Sequence, residues 1–231
     1  LQKDGENKRF LPSFIFPPLL KIKYNIEDSL HLAKAIILAV PSRTMRENIK
    51  NISPWIPEDS LIISASKGLD LPTGKTMSQV LEEILPLGAA RRISVLSGPN
   101  LAKEIAAGQP SSAVIASHNI DICKKAQSLL NTPSFRIYTN DDVLGTELGG
   151  SLKNIIAIGA GICDGLGYGD NAKAAFMTRG LAEISNLGSA LGANPTTFTG
   201  LSGMGDLITT CSSTLSRNRH IGIQLAQGLS L

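Results

Sequence analysis

The chain is short of aromatics, of cysteine and of excess charge. Six Phe, three Tyr and one Trp amount to 4% of 231 residues, so a core must come from aliphatic side chains and close backbone approaches. Cys123, Cys163 and Cys211 lie far apart with no C-x-x-C pair, which argues against a disulfide scaffold or a zinc site. His31, His118 and His220 lack metal-ligand spacing and no carboxylate cluster joins them, so no metal is expected. Ser97 and Ser202 have no paired histidine, which leaves hydrolase chemistry without support. Lys and Arg outnumber Asp and Glu by 22 − 19 = 3, too small a surplus to imply a nucleic-acid partner. No apolar run is long enough for membrane insertion. Phe10–Leu20 is apolar but broken by Pro12, Pro17 and Pro18, and it lacks the pattern of a signal peptide. A cytoplasmic setting is the expectation.

The first half reads as alternating strand and helix. Ile36-Ile37-Leu38-Ala39-Val40 is an unbroken apolar run stopped by Pro41, the pattern of a buried parallel strand. Ser42 is placed to cap a helix over Arg43–Ile52. Further strands are predicted at Leu61–Ala65, Ile93–Leu96, Ser112–Ala116 and Phe135–Tyr138. Helices are predicted over Thr76–Leu85, Leu101–Ala107 and Ile120–Leu130. Leu1–Arg9 is polar, Phe10–Leu20 reads as a surface loop or flap, and Leu30–Ala35 reads as a short helix or turn. The alternation predicts a mostly parallel sheet covered on both sides. In such sheets ligands bind beyond the carboxyl ends of the strands. Pro41-Ser42, Ser66-Lys67-Gly68 and Gly98-Pro99-Asn100 all follow predicted strands. No G-x-G-x-x-G loop follows a strand, so periodicity and composition alone do not give a dinucleotide site.

The second half reads as helical. Asp141-Asp142 can cap a long helix reaching about Cys163. Gly145, Gly149, Gly150, Gly159 and Gly161 would each weaken that helix by about 1 kcal/mol relative to Ala. Such a density makes sense where another backbone or a ligand lies against it. Asn171–Leu191 and Ser216–Leu229 are further helices, Asn194–Phe198 is a turn, and no strand pattern returns after Tyr138. A boundary is placed near Thr139–Asp142, dividing the chain into an α/β unit over 1–140 and an all-α unit over 141–231.

Four places could carry chemistry. Lys153 stands mid-helix among apolar neighbours, where it either snorkels to solvent or works as a general acid and base with an easily lost proton. Ser216-Arg217-Asn218-Arg219-His220 is either a solvated helix cap or a phosphate cradle of amides, hydroxyl and guanidinium. Lys67, ahead of Gly68, either faces solvent or points at an anion. Asp206 either caps a helix from Leu207 or has a functional role.

In order and with compatible spacing, Ser66-Lys67-Gly68-Leu69, Leu96-Ser97-Gly98-Pro99-Asn100-Leu101-Ala102, Glu147-Leu148-Gly149-Gly150-Ser151-Leu152-Lys153-Asn154, Gly161-Ile162-Cys163-Asp164-Gly165, Gly200-Leu201-Ser202-Gly203-Met204-Gly205-Asp206-Leu207 and Ser216-Arg217-Asn218 form one set. In these segments the chain resembles the NAD(P)-dependent glycerol-3-phosphate dehydrogenases of the bacterial and plastid type. The resemblance covers nearly all of the chain. It implies a truncated Rossmann-like dinucleotide-binding domain followed by a helical domain like that of 6-phosphogluconate dehydrogenase. The implied reaction is reversible hydride transfer between NAD(P)H and dihydroxyacetone phosphate, giving sn-glycerol 3-phosphate for phospholipid synthesis.

The resemblance also implies roles. Lys153 would be the catalytic acid and base and would also touch substrate. Lys67 would touch cofactor and substrate. Gly98, Asn100, Asn154 and Asp206 would contact or support the substrate, and Ser216, Arg217 and Asn218 would hold its phosphate. Ala102 and Arg217 would lie at the cofactor, NAD or NADP. The family usually has Ser or Thr where Asn100 stands, and an amide also donates and accepts hydrogen bonds. The resemblance is compatible with a homodimer, and with a plastid stroma if the source is plant-type. The family's Gly-rich loop and a closing Glu-containing segment are expected outside Leu1–Leu231, which makes the chain a partial sequence that would bind NAD(P)H poorly. The alternatives are an incomplete binding fragment and a dehydrogenase of another small carbonyl substrate.

Overall fold

The computed structural model describes residue 1 and residues 4–229. Strands β1 (Glu6–Asn7) and β2 (Leu11–Ile15) form a small antiparallel ribbon. The loop or flap reading of Phe10–Leu20 is therefore corrected in its first part. Pro12 is tolerated there because a two-stranded ribbon is all edge. The sheet that follows comprises β3 (Ala35–Leu38), β4 (Leu61–Ser64), β5 (Ile93–Ser97), β6 (Ser111–Ala116) and β7 (Phe135–Asn140), in that spatial order. The helices between them are α1 (Ile26–Leu30), α2 (Met45–Ile52), α3 (Met77–Ile84), α4 (Leu87–Ala90), α5 (Ala102–Ala106) and α6 (Ile120–Leu130).

The sheet is mostly parallel: β3–β4, β4–β5 and β6–β7 run parallel, while β5–β6 is antiparallel. The link from β5 to β6, residues 98–110, is the shortest in the sheet, and its only helix is the five-residue α5, about 7.5 Å long and too short to carry the chain back along a strand, so the chain reverses without crossing the sheet. Both faces are covered. Ile62 packs with Ile36, Leu38 and the α2–α3 residues Met45, Ile49, Val80 and Leu81. Its neighbours Leu61 and Ile63 point the other way, onto Ala113, Ile115, Ile137 and the α6 residues Ile122 and Ala126. This two-residue period explains why β4 reads as a solid apolar run: each side has its own core.

Local chemistry sets the helix starts. Thr76 and Gln79 close a capping box on α3, and Asn119 caps α6. Ser42 does not cap a helix. A 3-10 turn over Ser42–Thr44 intervenes, and α2 begins at Met45 with no side-chain cap.

After Asn140 every described element is helical. These are α7 (Val143–Gly165), α8 (Asp170–Ala190), α9 (Pro195–Phe198), α10 (Asp206–Ser212) and α11 (Arg217–Ala226), with a π-helical turn over Leu201–Gly205. Asp142 caps α7 by accepting the Gly145 amide, and Asn194 caps the single turn of α9. No described helix is long and apolar enough to cross a membrane.

Helix α7 is about 34 Å long and its glycines are accounted for. A Cβ on Gly149 would stand 2.6 Å from Ser202 O, and one on Gly161 would stand 2.0 Å from Arg219 O. A Cβ on Gly222 of α11 would stand 2.0 Å from Ile158 O. Helices α7 and α11 thus touch backbone to backbone. Asp164 locks that crossing by accepting from Arg219 Nε at 2.6 Å and from Lys173 Nζ at 2.9 Å. Burial works against its charge, but the two cations hold its carboxyl below the usual range.

Gly222→Ala is expected to cost about 2–3 kcal/mol in urea unfolding, because backbone atoms must move apart. Gly88→Ala in α4, where nothing lies within 4 Å, is expected to be neutral or slightly stabilising. Equal effects at the two sites would contradict the close crossing.

Candidate active site

The carboxyl ends of β4 and β5 face the middle of α7. The β4 loop presents Lys67, followed by Gly68 at φ +134°, and the β5 loop presents Gly98 at φ +131°. These are left-handed conformations suited to glycine. A Cβ on Gly98 would also stand 3.1 Å from Ala113 Cα. On α7, the absence of a Cβ at Gly150 leaves room for Ser97 Oγ, which would lie 2.5 Å from it. Ser151 Oγ accepts the Gly68 amide at 2.9 Å, fixing the Lys67 loop to α7.

At the centre one carboxylate serves two lysines. Asp206 Oδ1 accepts from Lys153 Nζ at 2.6 Å, and Oδ2 accepts from Lys67 Nζ at 2.6 Å. Asp206 is 1% exposed and Lys153 6%. Lys67 Nζ also donates to Gly98 O at 3.0 Å, and Lys153 Nζ donates to Thr210 Oγ1 at 2.5 Å. Thr210 in turn donates to the Asp206 carbonyl at 2.6 Å, which leaves its oxygen free to accept from the lysine. An ammonium has three hydrogens, so each lysine keeps one uncommitted among the described residues. The trio carries two positive charges and one negative.

Burial lowers the Lys153 pKa from its ordinary 10.5, and the positive charge of Lys67 adds to that; Asp206 opposes both. Lys153 therefore does not snorkel. Asp206 is not a cap either. Gly205 occupies that position, and Asp206 is the first residue of α10, where its charge meets the positive helix end. The neighbouring Cys211 thiol is pushed up to about 11 by burial, which leaves it inert.

The other anticipated residues fall around this trio. Asn154, next to Lys153 on α7, accepts from Asn218 Nδ2 at 2.7 Å. Ser216 is buried and caps α11 by accepting the Arg219 amide at 3.2 Å. Arg217 is exposed, and its side chain makes no hydrogen bond or ion pair among the described residues. The Asn100 Oδ1 atom is buried with no partner, beside Gly98. Ala102 opens α5 and is exposed, and no side-chain bond ties it to the lysines. Three contributors went unanticipated: Thr210, Ser151 and Glu147. Thr210 stands one helical turn after Asp206, a spacing that offered a signal. The other two had none beyond their place in the glycine-rich segment.

A nicotinamide dinucleotide can be tested against this geometry. The edge holds two glycine-bent loops, two lysine N–H groups not yet used and an orphaned buried acceptor on Asn100. These fit a polar ligand lying across the carboxyl ends of β4 and β5.

A mostly parallel sheet whose carboxyl edge meets a lysine-bearing helix defines the class of two-part proteins with a Rossmann-like α/β unit followed by a helical unit. The family description "NAD-dependent glycerol-3-phosphate dehydrogenase N-terminus" matches residues 1–123, and the corresponding C-terminus matches residues 142–231. A glycerol-3-phosphate dehydrogenase [NAD(P)+] of Dehalococcoides mccartyi (strain ATCC BAA-2266 / KCTC 15142 / 195) is 52% identical over 223 residues, 96% of this chain and 62% of that relative. One of Pelotomaculum thermopropionicum is 49% identical over 231 residues, 100% of this chain and 66% of the relative. The crystal structure of the Coxiella burnetii glycerol-3-phosphate dehydrogenase superposes with a TM-score of 0.93 at 40% identity, covering 99% of this chain and 69% of that one. The chain belongs to the NAD-dependent glycerol-3-phosphate dehydrogenase family. It spans somewhat under two thirds of the length of the first of these relatives.

Replacing Asp206 by Asn leaves two lysine charges facing each other with no counter-ion. The expected loss of stability at pH 7 is about 3–5 kcal/mol by urea unfolding. Without Asp206 the Lys153 pKa falls further, so the unfolded chain binds more protons than the folded one and stability recovers as pH rises. A loss below about 1 kcal/mol, or recovery towards acid pH, would contradict the shared-carboxylate geometry.

Proposed function

We propose that the chain carries the catalytic centre of a glycerol-3-phosphate dehydrogenase acting on dihydroxyacetone phosphate and sn-glycerol 3-phosphate. The observation that carries this reading is the meeting of Lys67, Lys153 and Asp206, from three distant segments, at one sheet edge. Residues 1–140 form the dinucleotide-binding part and residues 141–231 the helical substrate-binding and catalytic part. NAD or NADP, when bound, supplies or takes up the hydride.

In the reductive direction the uncommitted N–H of Lys153 gives its proton to the oxygen formed at C2. In the oxidative direction the neutral amine takes that proton back. Desolvation makes this exchange easier by lowering the pKa towards the working range. Lys67, held by Gly98 O and Asp206, turns its remaining N–H to the same oxygen and keeps positive charge where negative charge develops. Asp206 prevents the two ammonium groups from driving each other apart and accepts from a substrate hydroxyl when one of them shifts. Gly98 and Asn100 line the substrate, and the Asn100 Oδ1 gains the partner it lacks.

The phosphate goes to the start of α11. Ser216, Arg217 and Asn218 offer a hydroxyl, a guanidinium and an amide there, with Asn154 holding Asn218 in place. Arg217 and Ala102 also face the cofactor. The sn-glycerol 3-phosphate formed is the backbone from which phospholipids are made.

With purified chain, NADH or NADPH and dihydroxyacetone phosphate, Lys153→Ala is expected to lower kcat about 10²- to 10⁴-fold. Reduction needs the ammonium, so its rate falls as pH rises through the lowered Lys153 pKa, below 10.5, while oxidation of glycerol 3-phosphate rises over the same interval. Turnover retained in Lys153→Ala, or the two directions sharing one pH limb, would remove Lys153 from this role.

A further inference from the structure

Glu147 is 8% exposed, lies six residues before Lys153 on α7, and has no part in the chemistry above. Its carboxylate leaves the helical unit and enters the first turn of α3. Oε1 accepts the Ser78 amide at 2.9 Å, and Oε2 accepts the Ser78 hydroxyl at 2.5 Å. Thr76 Oγ1 stands 3.2 Å from that hydroxyl, at the end closed by the Thr76–Gln79 capping box. No cation lies within ion-pair distance of Glu147 among the described residues. Burial pushes its carboxyl up, against the hydrogen bonds from Ser78.

A charged group buried among neutral donors is a poor source of stability. Its geometry has a different consequence. Residues 147, 150, 151 and 154 fall on one stripe of α7 by the three-and-four spacing. Along that stripe Glu147 holds α3, Gly150 admits Ser97, Ser151 takes the Gly68 amide and Asn154 holds Asn218. Two of these four contacts are hydrogen bonds joining α7 to the sheet unit: one to α3 and one to the Lys67 loop.

We propose that Glu147 is a positioning residue whose bonds to Ser78 dock the start of α7 on the sheet unit and so set Lys67 against Lys153 across Asp206. The effect on turnover rests on the reading of Lys153 given above, whereas the docking does not.

Amide hydrogen exchange in the ligand-free 231-residue chain separates the two. In Glu147→Ala, the Ser78 amide and also the Gly68 amide, which does not touch Glu147, are expected to exchange about tenfold faster. Amides of β6 and β7 should keep their protection. Glu147→Gln retains an acceptor and should restore most of the protection at Gly68. Ser78→Ala, a milder change that keeps the amide bond, should speed Gly68 about threefold, so the proposal stays testable if Glu147→Ala does not fold. Faster exchange at Ser78 with Gly68 unchanged would reduce Glu147 to a local helix cap and overturn the proposal. In turnover, Glu147→Ala should lower kcat about tenfold with little change in KM for dihydroxyacetone phosphate, and Glu147→Gln should recover most of it. An unchanged kcat in folded Glu147→Ala would also overturn the proposal. Turnover retained in Lys153→Ala would count against the reading of Lys153 while leaving the exchange result to judge the docking.

Discussion

One buried carboxylate holds two lysines together, Lys153 buried and Lys67 a quarter exposed, and the rest of the molecule is arranged around that constraint. Lys67 and Lys153 would repel each other strongly at low effective dielectric, so neither could stand there without Asp206. The arrangement leaves one net positive charge and two unused N–H groups at the end of a parallel sheet. That charge suits the proposed substrate, which gains negative charge on one oxygen and carries a phosphate on another. Desolvation lowers the proton affinity of Lys153, which turns a structural ion pair into a group able to give and take a proton.

Holding this trio requires backbones to approach more closely than side chains allow, and α7 meets that need. Its glycines lie against Ser202, Ser97 and Arg219, each where a Cβ would collide. The helix gives up intrinsic propensity at each such position and gains contact with the π-helical turn, the sheet edge and α11 in exchange. The Gly161–Gly222 crossing and the Asp164–Arg219 pair fix the first turn of α11, so the proposed phosphate cradle is positioned by its contact with α7.

Much of this was legible in the sequence, for identifiable reasons. Strands β3 to β7 stood out because each is buried on both faces or bounded by proline and turn residues. Asp141-Asp142 marked the start of α7 by its chemistry, with either aspartate able to cap, and the glycine density of α7 signalled a close approach of another backbone or a ligand. What was hidden depended on tertiary contact. The β1–β2 ribbon carries no alternating pattern because none of its residues is buried. The reversal between β5 and β6 is a matter of connection length, which periodicity does not encode. Asp206 looks like an ordinary cap, and Lys153 like an ordinary snorkelling lysine, until the fold places them together. The residues alone left a functional role open for both beside the plainer one, and the family resemblance tipped the balance. Thr210, Ser151 and Glu147 are common residues in unremarkable settings, and each acquires meaning from a partner more than fifty positions away.

Lys67 and Lys153 sense each other across Asp206. The most direct test is the titration of the Lys153 side chain, followed by NMR in the chain and in Lys67→Met. Removing the neighbouring charge should let Lys153 hold its proton to higher pH, so its midpoint should rise towards the ordinary 10.5 while burial keeps it below that value. A midpoint that stays where it was, or that falls, would mean that the two lysines are not coupled and that the shared-carboxylate account is wrong.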